Sequence, residues 1–125
     1  PGFLPDPAHY IGRFHIFALS SDSEQFPISL MEAMAAGRPV AATGVGDISS
    51  VVSTDNRPLI VGRDDGPALT AALDTLAQRA DLRRTIGQAN RERAQAEYDE
   101  ARMIGRYASL YDEAIGAAAL ARAVA

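Results

Sequence analysis

Apolar runs separated by short polar, glycine- or proline-containing breaks divide the first half of the chain into alternating periods. Phe14–Leu19 (FHIFAL) is apolar on both faces apart from His15, as expected of a central strand in a parallel sheet covered by helices on both sides. Val40–Ala42 and Pro58–Val61 read as two further short strands, and Pro1–Leu4 as the tail of another. Between the first two strands, Ile28, Leu30, Met31, Met34 and Ala35 cover most of a helix's circumference, leaving Ser29, Glu32 and Ala36 on a narrow strip that can stay open. Pro27, with φ preset and no N–H to lose, fits the first position of that helix. Gly37 suits a left-handed C-cap, and Pro39 cannot continue the helix. Asp6-Pro7 opens a short helix running to about Gly12, and Thr43–Asp47 (TGVGD) is a glycine-rich turn into a helix over Ile48–Val52.

From Pro67 onward the pattern is helical only. Asp65 or Gly66 caps a helix with Leu69, Ala72, Leu73 and Leu76 on one face. Asp81 is placed to cap a second, with Leu82, Ile86 and Ala89 inward and a solvated outer face of Arg83, Arg84, Arg91, Glu92 and Arg93. Asp99 caps a third, whose stripe of Met103, Tyr107, Leu110 and Ala114 needs something to lie against before Ala117–Ala125 frays. The fold class is α/β: a single, partial Rossmann-like three-layer domain over residues 1–125, with strand-helix units in 1–66 and a helical tail in 67–125. The sheet is parallel, of three to four short strands with helices on both faces. Ligands in such sheets bind outside the carboxyl ends of the strands, so the loops Ser20–Phe26, Thr43–Asp47 and Gly62–Asp65 converge on the candidate binding edge.

Composition narrows the chemistry. A net charge of -4 argues against a polyanion-binding protein, and all 12 basic residues are arginine, so no lysine is available for Schiff-base or phosphate-binding roles. There is no cysteine for a disulfide or thiolate zinc site, which is compatible with a reducing compartment. Neither His9 nor His15 has ligand-spaced partners, so no metal is expected. No apolar run approaches the ~20 residues of a membrane span, and the N-terminus lacks the pattern of a signal peptide. The chain therefore reads as cytoplasmic.

Glu32 is the sole charge between Ile28 and Gly37, too far into the helix for the N-terminal dipole to explain it. It points at solvent or meets a ligand. The free N–H groups expected at Ile28, Ser29 and Leu30 suit a diphosphate, and a carboxylate one turn on can accept hydrogen bonds from vicinal hydroxyls. TGVGD falls short of a dinucleotide fingerprint and fits a tight turn as well as an anion cradle.

Glu24, seven intervening residues and Glu32, with Phe26-Pro27 inside the gap and EAMAAGRPVAAT over Glu32–Thr43, resemble the E-x7-E signature of retaining family-4 (group 1) glycosyltransferases of the GT-B fold. The tail AEYDEARMIGRYASLYDEA is similar to that family's closing helices. The resemblance implies a C-terminal donor domain truncated at its N-terminal side, moving a sugar from UDP or GDP onto a glycan or lipid acceptor, with no cofactor and no metal. It gives Glu24 to the donor sugar as the catalytic position. The amides around Gln25, Phe26 and Pro27 hold the sugar hydroxyls, those near Ile28, Ser29 and Leu30 face the diphosphate, Glu32 holds the ribose, and Gly44 opens the neighbouring turn. The chain departs from the family at Gln25, where glycine is usual, at TGVGD for TDVGG, and at Ser49-Ser50 for Pro-Glu. Members carry a separate acceptor-binding domain, so the 125-residue chain alone is expected to be inactive, and the full-length enzyme can lie peripherally at the inner face of the membrane. A second copy is expected to cover the open sheet edge and the tail helix. The alternative is a non-catalytic α/β module acting in self-association or partner binding; an epimerase or phosphorylase on the same fold fits the motif less well.

Overall fold

A computed structural model describes Gly2 and residues 5–124, with side chains as far as Gly116. The expected strand tail at Pro1–Leu4 falls mostly outside the described residues, as does the side-chain packing of Ala117–Ala125. The elements run α1 (Pro7–Ile11), β1 (Phe17–Leu19), α2 (Ile28–Ala35), β2 (Val40–Thr43), α3 (Ile48–Val51), a 3-10 helix (Thr54–Leu59), β3 (Ile60–Val61), α4 (Gly66–Gln78), α5 (Ala80–Glu97) and α6 (Glu100–Val124). The three strands are parallel in the order β1-β2-β3, with Phe17 opposite Val40 and Ala42 opposite Ile60.

The central strand is thus β2, not the FHIFAL run. All four residues of β2 are buried, which is why VAAT carries no alternation of polar and apolar positions. Val40 and Ala42 enter a core with Leu30, Met34, Ile48, Val51 and Ala94, while Ala41 enters a second core with Leu59, Ala72, Leu76 and Ile86. The period of two sends alternate side chains to opposite faces, so one short strand joins two cores. Fully burying each of Leu30, Met34 and Leu76 contributes roughly 1.5–3 kcal/mol.

Several local expectations shift for physical reasons. Phe14–Ile16 do not extend β1, because Phe14 N–H donates to Ile11 O at the end of α1 and Phe14 O accepts from Arg38. Pro27 is extended, with ψ of 118°, and is the N-cap rather than the first helical residue. Pro58, read as part of a strand, lies in the 3-10 helix. Ile28 is 68% exposed and Ala35 is also exposed, so α2 buries one side through Leu30, Ala33 and Met34. Its exit is a Schellman motif: Gly37 has φ of 71°, Gly37 N–H donates to Met34 O at 2.8 Å and Arg38 N–H to Ala33 O at 2.9 Å.

The helical half packs partly as its pattern predicts. Asp65 and Asp99 are caps, accepting from Ala68 N and Arg102 N at 3.0 Å each. Asp81 is not a cap: it lies in the first turn of α5 and pairs with Arg79 at 2.9 Å, which holds its carboxyl at about 2. Arg83 and Arg93 do not belong to a purely solvated face. Arg83 donates to Leu76 O and Ala77 O at the end of α4, and Arg93 to Ser50 O at 2.8 Å. α6 leaves its apolar stripe uncovered, with Met103, Tyr107 and Leu110 all more than half exposed. It continues as helix to Val124, beyond the point where fraying was expected.

Behind β2 lies a fully buried amide pair that the hydrophobic pattern does not announce. Asn56 exchanges two hydrogen bonds with the Val40 backbone at 2.9 and 2.8 Å. Asn90 donates to Asn56 Oδ1 at 2.8 Å and to Arg38 O at 3.0 Å, and accepts from Ser53 N at 3.1 Å. Both side chains are well satisfied, which makes the network rigid and costly to breach. It fixes β2, the strand from which the candidate loops are aimed.

Candidate functional site

The parallel sheet places the loops after β1, β2 and β3 at one carboxyl edge. They are stitched together there. Thr43 Oγ1, at the end of β2, donates to Ser21 O at 2.6 Å, and Asp47 N–H donates to Gln25 O at 3.1 Å. Gly46 has φ of 55° and presses on the Glu24 carbonyl so closely that no side chain fits between them. The glycine turn is therefore a wedge that fixes the Glu24 loop.

Glu24 is half-buried and accepts from Ser21 Oγ at 2.7 Å, which orients its carboxylate while leaving further lone pairs. Gln25 and Phe26 are exposed beside it; Phe26 is held edge-on by Tyr98 at 5.7 Å, whose hydroxyl reaches Val51 O. Gln25 lies outside the positive-φ region, so this backbone does not demand the glycine usual in the motif.

At the start of α2, the N–H groups of Ile28 and Ser29 have no partner among the described residues. Leu30 N–H is not free as expected: it donates to Pro27 O at 3.1 Å. Pro27, Ile28 and Ser29 thus form an uncapped helix start with two open donors and the positive end of the helix dipole. Glu32 is half-buried, and its carboxylate has no hydrogen bond or ion pair among the described residues. It lies three residues beyond Ser29 and four beyond Ile28, and helix side chains lean toward the N-terminus. Its side chain therefore leans toward the N-terminal turn that carries the two open amides.

Most amides of the turn TGVGD are taken up within the fold. Gly44 N–H donates to Val61 O at 2.7 Å and Val45 N–H to Thr43 O at 3.0 Å, so neither is offered outward. What Gly44 supplies is space, since a Cβ there would stand 3.2 Å from both Ser49 Oγ and Val61 O.

Toward β3 the edge holds a cavity of about 260 Å³ lined by Ser20, Asp22, Thr43, Asp64 and Asp65. Three carboxylates disfavour a phosphate there and favour hydroxyl donors. Polarity therefore divides the edge: amides open to an anion at α2, carboxylates open to hydroxyls beside it. Among the described residues no group of three possible metal ligands occurs, and no helix is long and apolar enough to cross a membrane. Sequence reasoning did not single out Tyr98, Ser21 or Thr43 as supports; only the hydroxyl-rich loop and the threonine closing β2 hinted at the last two.

A family model described as glycosyl transferases group 1 matches residues 1–79. N-acetyl-alpha-D-glucosaminyl L-malate synthase from Bacillus anthracis is 25% identical over 104 residues, covering 83% of this chain and 27% of that protein. Sucrose-phosphate synthase from Thermosynechococcus elongatus superposes with a TM-score of 0.83 at 30% identity, over 89% of this chain and 28% of that one. The chain thus spans little more than a quarter of either relative's length.

Proposed function

Because the chain belongs to the group 1 glycosyl transferases, we propose that it is the donor-binding part of a retaining glycosyltransferase, which takes a sugar from a UDP- or GDP-linked donor to a glycan or lipid acceptor. One observation carries this reading: half-buried Glu32, without a side-chain partner among the described residues, follows two open amides at the start of α2 by one helical turn, and the oriented Glu24 stands in the loop before them. A half-buried carboxylate without a partner is costly unless a ligand or water meets it. Vicinal ribose hydroxyls meet it from one side, while the Ile28 and Ser29 amides take the diphosphate.

Glu24 then reaches the sugar, and the exposed Gln25 and Phe26 flank it. Their backbone amides, with Pro27 turning the chain, give the sugar hydroxyls their partners. Gly44 keeps the neighbouring turn low. Leu30 positions the helix through its buried side chain rather than through a free amide. No metal step is needed, because the helix dipole and amides face the leaving diphosphate.

In this reading the chain by itself transfers no sugar, since acceptor and donor must be positioned together and that supplies several kcal/mol of the rate enhancement. The acceptor side comes from a further domain, and the protein works in the cytoplasm or at the inner membrane face. A second copy lying on the open edge of β1 and on α6 is the further partner this reading allows.

Titration with UDP, GDP and their sugars tests the proposal. Saturable binding that shifts the amides of Gln25–Ser29 is expected. Absence of binding by every nucleotide would leave the non-catalytic module, for which the uncovered apolar face of α6 is the supporting observation.

A further inference from the structure

The opposite end of the sheet has a different character. β2 runs from Gly37–Pro39 to the candidate edge at Thr43, and around its starting end lies a concavity of about 290 Å³ lined by His15, Arg38, Arg83 and Arg84. No carboxylate lines it, although the chain carries 16 acidic residues against 12 arginines. None of these three arginines makes an ion pair among the described residues; the nearest sequence acid, Asp81, is taken by Arg79.

The guanidinium groups are set rather than loose. Arg38 donates through Nε to Ala36 O at 2.9 Å and through Nη1 to Phe14 O at 2.8 Å. Arg83 uses Nη1 for both Leu76 O and Ala77 O. These bonds hold each side chain without neutralising it, and each retains three of its five N–H donors. Capping the ends of α2 and α4 accounts for Arg38 and Arg83. It does not account for Arg84, which has no partner among the described residues yet lines the same space.

We propose that this face is a second ligand site, for a small phosphate-bearing anion held by Arg38, Arg83 and Arg84. Two preset guanidinium forks and a third free one match the bidentate recognition of phosphate oxygens. The first turn of α5, which begins at Ala80 on the rim and has no side-chain cap, adds a favourable dipole end. The volume lies at the small end of ligand pockets, which admits a diphosphate or the phosphate of a compact monoester and is tight for a whole nucleotide sugar. The site is independent of the donor edge, since it uses none of the residues after the strands.

Titrating the isotope-labelled chain with inorganic phosphate, pyrophosphate and glucose 6-phosphate, while reading arginine Nε–Hε and backbone signals by NMR, tests this. Saturable shifts are expected at Arg38, Arg83 and Arg84 and in the first turn of α5. Pyrophosphate binding more tightly than phosphate would identify a diphosphate ligand, and glucose 6-phosphate doing so would identify a monoester. Arg84→Ala, which breaks no bond of the fold, is expected to weaken binding about tenfold, while Arg63→Ala at the other end of the sheet leaves it unchanged. Lack of a saturable shift at these arginines, shifts confined to the Ile28 and Ser29 amides, or equal weakening by Arg63→Ala would each overturn the proposal.

Discussion

Replacing Gly46 by alanine probes the link between the glycine turn and the Glu24 loop. The added methyl would overlap the Glu24 carbonyl oxygen, standing 2.8 Å from the carbonyl carbon and 3.0 Å from Gln25 O. Both neighbours are backbone, so the loop and not a side chain must give way. The φ of 55° adds roughly 1–2 kcal/mol for any residue with a Cβ. Relieving the overlap costs about 1–3 kcal/mol. The lower entropy of the unfolded alanine variant offsets about 0.4–1 kcal/mol. The net loss is about 1–5 kcal/mol, or roughly 4 °C in Tm for each kcal/mol in a chain of this size. Urea unfolding followed by circular dichroism measures the stability, and amide shifts at Glu24–Asp47 report the loop. Gly105→Ala, in an open position on α6, is the control and is expected to hold or raise stability. A Gly46→Ala variant within about 0.5 kcal/mol of the parent, with unshifted Glu24 signals, would refute the wedge.

Gly87→Ala tests a second close approach. Helix propensity favours alanine by about 1 kcal/mol, but its methyl would overlap the Gly37 carbonyl at the end of α2, so urea unfolding should show a net loss of up to about 2 kcal/mol; a gain would disprove the contact. Asn90→Ala strips partners from Ser53 N, Arg38 O and Asn56 Oδ1 and is expected to lower stability by about 2–4 kcal/mol in the same assay. Asp81, held at about 2 by Arg79 against an ordinary 3.8, contributes stability that is present above pH 3.8 and lost as pH falls through 2. A carboxyl titration by NMR should show that depression and its reduction by Arg79→Ala, the Leu82 amide keeping part of it; an unmoved midpoint would contradict the pairing.

The hydrophobic pattern was a good guide wherever burial alone decides structure. The all-apolar VAAT run, the Gly37 exit and the capping roles of Asp65 and Asp99 are readable because each follows from a local rule. The FHIFAL run misled because β1 is an edge strand and the first half of the run is diverted by α1 and Arg38. The exposed stripe of α6 looks like core in the sequence, since periodicity reports an apolar face and not what covers it. At the candidate site, the spacing of Glu24 and Glu32 and a helix beginning within one residue of Pro27 were readable from local rules. Their supports were not legible. That Leu30 N–H and Gly44 N–H are occupied, and that Tyr98 steadies Phe26 across 72 residues, depends on distant pairings that no local pattern encodes.

The division of labour between the two glutamates is the centre of the account, and calorimetric titration of Glu24→Ala and Glu32→Ala with the nucleotide diphosphate and its sugar tests it most directly. Glu32→Ala should weaken both ligands alike, by roughly 1–3 kcal/mol for a lost charged hydrogen bond. Glu24→Ala should leave the bare nucleotide nearly unchanged and abolish the preference for the sugar-bearing form. Equal behaviour of the two variants, or unchanged binding in both, would contradict the account.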